Sequence, residues 1–79
     1  MPIVLRLKGY RFGFWASDND EPRHVHVTKN GKSAKYWLEP IVLLQGNHGF
    51  RPHELNEMER IVYEHRDELM EAWNVFFNH

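Results

Sequence analysis

The sequence predicts an α+β domain. Two antiparallel β-hairpins form a roughly four-stranded sheet, and one long C-terminal amphipathic helix packs on one face, in the order ββββα. Three observations predict this. Hydrophobic and polar residues alternate with the period of a strand through the first half of the chain. Two glycine-containing dipeptides, Lys8-Gly9 and Asn30-Gly31, interrupt that alternation at hairpin spacing. After Pro52 the apolar residues recur every three or four positions, which is the spacing of a helix.

The first hairpin joins Ile3, Leu5 and Leu7 to Tyr10, Phe12 and Phe14. A two-residue turn at Lys8-Gly9 pairs Leu7 with Tyr10, Leu5 with Phe12 and Ile3 with Phe14. All six side chains then share one face. On the other face Arg6 lies across from Arg11, a like-charge pair that weakens a hairpin by a few tenths to about 1 kcal/mol. Ser17-Asp18-Asn19-Asp20-Glu21-Pro22 reads as an acidic turn-rich loop. The second hairpin runs from Arg23 to Leu38 around Asn30-Gly31. Its register sets Val27 against Ala34 and Val25 against Tyr36, with His26 opposite Lys35 and His24 opposite Trp37 on the other side. Pro40 ends the fourth strand. Ile41–Leu44 is a fifth strand or a buried turn, and 45–50 reads as loop. Pro52 suits the first position of a helix and Glu54 its first turn, although Arg51 is a weak cap. Leu55, Met58, Val62, Leu69, Trp73 and Phe76, widened by Ile61, Ala72 and Phe77, make the stripe of a single helix of roughly 25 residues.

Seventy-nine residues bound the chain to a single domain, residues 1–79. Hydrophobic content of 42% with 27% charged residues is that of a globular chain. The absence of cysteine excludes disulfides, thiolate metal sites and a cysteine nucleophile. No apolar run is long enough for a bilayer, and the N-terminal residues lack a signal-peptide layout, so the expectation is a cytoplasmic protein without a membrane partner. The net charge of −1 is unevenly spread. Residues 1–40 hold seven Lys/Arg against four Asp/Glu, and residues 41–79 hold three against seven. A polarised surface suits docking with an anionic partner or a second copy of the chain, giving a homo-oligomer.

If the hydrophobic side chains lie under the helix, the other sheet face shows Arg6, Arg11, Trp15, His24, His26, Lys35 and Trp37. His24 and His26 are two apart on a strand and project from one side. Such a pair can ligate a transition metal with a third donor such as His48, His53 or Glu21. The neighbouring cations Lys35, Arg6 and Arg11 weigh against a metal, and no cofactor is expected. The same cations favour phosphate. Guanidinium and ammonium groups grip a single strand while Trp15 and Trp37 stack on bases, with Arg23 beside them. His24 and His26 would be general acid and base in a metal-independent cleavage of RNA, with Lys35 stabilising charge.

Several motifs together carry a family resemblance. They are Gly9-Tyr10-Arg11-Phe12, Glu21-Pro22-Arg23-His24-Val25-His26-Val27, Ala34-Lys35-Tyr36-Trp37-Leu38, His48-Gly49-Phe50 and Glu71-Ala72-Trp73-Asn74. The whole resembles the small bacterial family numbered 4160 among the domains of unknown function, although Arg51-Pro52 stands where that family often has a serine-type cap. The resemblance implies one member of a two-gene toxin–antitoxin module with a small cognate protein partner. Two functions follow as expectations. One is an RNA-cleaving toxin. The other is a non-enzymatic antitoxin or regulatory subunit whose basic aromatic face docks on a protein or on DNA.

Overall fold

The computed structural model describes residues 1–78. Five strands, β1 (Ile3–Leu7), β2 (Tyr10–Gly13), β3 (His24–Lys29), β4 (Lys32–Trp37) and β5 (Leu43–His48), form one antiparallel sheet in chain order. Helices α1 (Pro52–Glu64) and α2 (Arg66–Phe77) follow. The α+β class is as the sequence predicts, but there is one strand more than expected and the long helix is two helices. Among the described residues, no helix is long and apolar enough to cross a membrane.

Both hairpin turns use left-handed residues, at φ of 53° and 81° for Lys8-Gly9 and 50° and 79° for Asn30-Gly31. These are the torsions that the right-handed twist of the flanking strands demands of a two-residue turn. The β3–β4 register is the expected one throughout, from His24 opposite Trp37 to Val27 opposite Ala34. In the first hairpin Leu7–Tyr10, Arg6–Arg11 and Leu5–Phe12 also pair as expected, but Ile3 lies opposite Gly13 rather than Phe14 because an irregularity intervenes between Ile3 and Leu5. Gly13 permits this. A Cβ there would sit 2.1 Å from the Pro2 carbonyl oxygen, so only glycine lets the chain approach so closely.

β5 takes Leu43 and Leu44 from the segment that reads as a fifth strand or a buried turn, and runs on through residues 45–48, which read as loop. Its sequence Leu-Leu-Gln-Gly-Asn-His has no alternation, and a register shift between Lys35 and Tyr36 accommodates it against β4. Asn47 then closes the following turn, its Oδ1 accepting the Phe50 N–H and its Nδ2 donating to the Phe50 carbonyl, both at 3.0 Å. At the start of α1 the Glu54 carboxylate accepts the Arg51 N–H at 2.9 Å, which offsets the poor cap.

The helix changes course at His65, whose φ and ψ are −107° and 16°. Its Nδ1 lies 2.9 Å from the Ile61 carbonyl, where the ring competes with the backbone ladder. Arg66 then donates from Nε to the Leu38 carbonyl at 2.6 Å and anchors the start of α2 to the sheet. The apolar stripe runs through the break, with Met58, Ile61, Val62, Leu69 and Trp73 all buried.

The core joins that stripe to Tyr10, Phe12, Phe14, Val25, Val27, Ala34, Tyr36 and Leu38. Two phenols are tied as they are buried: Tyr36 donates to the Leu55 carbonyl at 2.7 Å and Tyr10 to Glu57 at 2.9 Å. Burial first, and for Tyr10 the Glu57 carboxylate second, pushes both phenols up to about 12.

Candidate functional site

Strand pairing carries three rows of side chains across the sheet face that the helices leave less covered. One row runs Arg6, Arg11, Thr28, Ser33, His48 across all five strands. The next runs Gly13, His26, Lys35, Gly46, and the last His24, Trp37, Leu43. The first row is open: Arg6, Arg11 and His48 are exposed, and Thr28 and Ser33 partly so. Among the described residues, neither Arg6 nor Arg11 has a carboxylate within ion-pair distance.

The last row is closed. His24 has no exposed surface. Its ring meets those of Trp37, Trp73 and His26 edge to face, with centroids 5.5, 5.1 and 5.1 Å away. The expectation that both histidines stand on an open face therefore holds only for His26. Alternation decides which side of a sheet a residue takes. It does not decide what covers that side, and here Trp73 of α2 reaches around to His24.

The cover on the other flank is the acidic turn, whose aspartate sequence reasoning did not bring into the site. Ala16–Asp20 form a short 3₁₀ segment. Asp18 accepts the Trp15 N–H on Oδ2 at 2.7 Å and is 7% exposed. Its carboxylate reaches both imidazoles, with Oδ2 3.0 Å from His26 Nε2 and Oδ1 3.2 Å from His24 Nε2. Burial alone would raise the Asp18 carboxyl. The Trp15 N–H, the His26 hydrogen bond and the two nearby imidazoles outweigh it and hold the group below the usual carboxylate range. Burial pushes the His26 imidazole down, and Asp18 pulls the other way without prevailing. The available sequence signal was an aspartate in a turn-rich segment immediately ahead of the His-x-His pair.

His24 Nδ1 lies 2.8 Å from the Pro22 carbonyl. A carbonyl only accepts, so Nδ1 carries the proton. His24 Nε2 is then buried and aimed at Asp18, with no hydrogen bond of acceptable geometry.

The remaining predicted residues divide. Lys35 is on the face beside His26, but it pairs with Glu21 and lies 4.7 Å from the centre of the Trp37 ring. The Lys35 ammonium holds the Glu21 carboxyl below its usual range. Trp37 is half-buried, and Trp15 is 48% exposed with its ring 6.3 Å from that of His26. Arg23 is committed elsewhere. Its backbone N–H and guanidinium meet Glu39, and its Nε donates to Asn74 of α2 at 2.9 Å. Of the third metal donors expected, Glu21 is engaged by Lys35, His48 stands exposed opposite Ser33 in the open row, and His53 lies in the first turn of α1. Asp18 takes their place beside the histidine pair: one ligand atom from each of Asp18, His24 and His26 can be chosen so that all lie within 4.8 Å of one another.

The family model described as a domain of unknown function, DUF4160, matches residues 9–74. That span includes Asp18, both histidines, Lys35 and all three tryptophans. No curated protein and no solved structure shows significant similarity to the chain. With most of its length matched by that model, the chain belongs to the DUF4160 family of domains of unknown function.

Proposed function

We propose that this chain is the RNA-binding member of a toxin–antitoxin-type module, holding a single strand across its open sheet face. The observation that supports this most is the Arg6–Arg11–Thr28–Ser33–His48 row, which sets two guanidiniums without carboxylate partners beside two hydroxyls and an imidazole. Two adjacent cations repel one another across a hairpin. A phosphate between them turns that repulsion into attraction. Exposed Trp15 and half-buried Trp37, near the opposite end of the face, are suited to stacking on bases.

Proton transfer by both histidines is not part of this reading, because His24 has no surface through which to meet a substrate. His26, oriented by Asp18 and with a side chain 20% exposed, is the imidazole that a bound strand could touch. A cognate protein partner has its own support. A groove between residues 40–42 and the α1–α2 junction is lined by the exposed Ile41 and Tyr63, and exposed apolar side chains of this kind mark protein contacts.

Fluorescence anisotropy of a labelled single-stranded oligoribonucleotide tests the reading. Binding should weaken steeply with salt. The double variant Arg6→Gln, Arg11→Gln should reduce the slope of log K against log salt by about 0.7, the value for the one phosphate held between them. Salt-independent binding, or equal binding by the double variant, would refute it. A strand recovered intact after incubation supports holding alone. Cleavage lost in His26→Gln would make the chain a ribonuclease.

A further inference from the structure

We infer that Asp18, His24 and His26 form a binding site for a divalent transition-metal ion of the zinc type, independent of any strand on the open row. Three features of the geometry lead to this. The first is spacing. Ligand atoms about 2.0–2.2 Å from a tetrahedral zinc ion lie about 3.3 Å from one another. The two carboxylate–imidazole separations here are 3.0 Å, from Asp18 Oδ2 to His26, and 3.2 Å, from Asp18 Oδ1 to His24, and one ligand atom from each residue can be chosen so that all three lie within 4.8 Å of one another; the cluster closes to tetrahedral spacing when an ion replaces the proton between Asp18 and His26. The second is the bare nitrogen. The Pro22 carbonyl holds a proton on His24 Nδ1, so the neutral ring presents the lone pair of its fully buried Nε2 toward Asp18, with no hydrogen bond there. A lone pair facing a carboxylate oxygen is unfavourable unless a proton or a metal cation lies between them, and burying it unsatisfied is costly. A metal ion removes both penalties.

The third is the set of groups that hold the ligands. Metal-binding imidazoles characteristically donate their other N–H to a carbonyl or carboxylate, and metal-binding carboxylates accept further hydrogen bonds. His24 donates to Pro22, and Asp18 accepts the Trp15 N–H. The rings of Trp37 and Trp73 wall His24 from water on two sides, which strengthens the field of the bound ion. The cation nearest the pair, Lys35, is offset by Glu21 and lies over Trp37, so its repulsion of a metal is muted. Three protein donors leave a coordination position for water or an anion.

The test uses the full chain stripped of metal by chelator. Titration with Co²⁺ should give the intense visible bands of a four-coordinate ion at one equivalent per chain, and Zn²⁺ should displace it. Zn²⁺ should also raise the melting temperature. His26→Gln, at the more exposed ligand, should bind Zn²⁺ at least tenfold more weakly and lose both the bands and the thermal shift. His53→Gln, at an exposed histidine outside the cluster, should behave as wild type. Only weak octahedral Co²⁺ absorption in the wild type, or equal metal binding by His26→Gln, would overturn the assignment. The wild-type spectrum alone can overturn the assignment, whatever the folding of the variants.

Discussion

The two ends of one sheet face contrast sharply. At one end Arg6 and Arg11 stand side by side in solvent. At the other, His24 is sealed by Trp37, Trp73 and Asp18. Both ends follow from the same strand alternation, and neither set of residues belongs under α1. What separates them is the covering chain. The 3₁₀ turn before β3 and the redirected α2 close one end and leave the other open. Charge density without partners suits reversible contact with an anion. A closed polar cluster with fixed donors suits a small ion held tightly.

The contrast is broken most severely at Trp73. Its ring touches those of Phe14, His24 and Phe77 at 5.3, 5.1 and 4.4 Å. Trp73→Ala should lower unfolding free energy by about 4 kcal/mol, measured by urea denaturation. A loss under about 1 kcal/mol would mean that α2 does not seal this end.

The covered face gives the next effect. The Tyr10 and Tyr36 phenols, pushed up to about 12, hold their protons more tightly than in the unfolded chain, where they titrate near 10. Their contribution is therefore intact below pH 10 and disappears as pH rises toward 12. Two units for each correspond to about 2–3 kcal/mol. The urea midpoint should fall steeply across that window and less steeply in Tyr10→Phe. A midpoint constant from pH 9 to 11.5 would contradict the burial argument.

The smallest effect belongs to the open end and has the opposite sign. Arg11→Gln removes a cross-strand repulsion and should stabilise the fold by a few tenths to about 1 kcal/mol while weakening strand binding. Loss of stability would mean that Arg11 has a structural partner, and the open row would lose its functional meaning.

The hairpins were legible because turn chemistry and alternation agree: Asn30-Gly31 and Lys8-Gly9 fix the registers, and the apolar partners match across each. β5 was not legible. Leu43–His48 carries no period of two, and its pairing depends on a shift in β4 that no local pattern encodes. The break at His65 was hidden because the apolar stripe continues across it. Ile3 moved because Gly13 admits the Pro2 carbonyl, a contact visible only in three dimensions. In the site, the facing of Arg6, Arg11, His26 and Lys35 could be read from the strands. The depth of His24 could not, because Trp73 lies 49 positions further along the chain. Asp18 was overlooked because a turn-rich acidic loop is ordinarily solvated. Arg23 looked available because its partners, Glu39 and Asn74, come from the segment after β4 and from α2.

The most direct test of the division between open and closed ends is a ¹⁵N-resolved NMR titration of the chain with a single-stranded oligoribonucleotide. The account predicts the largest shifts at Arg6, Arg11, Thr28, Ser33 and His48, with little change at His24 and Trp73. Shifts concentrated around Ile41 and Tyr63, or at His24 ahead of the arginines, would contradict it.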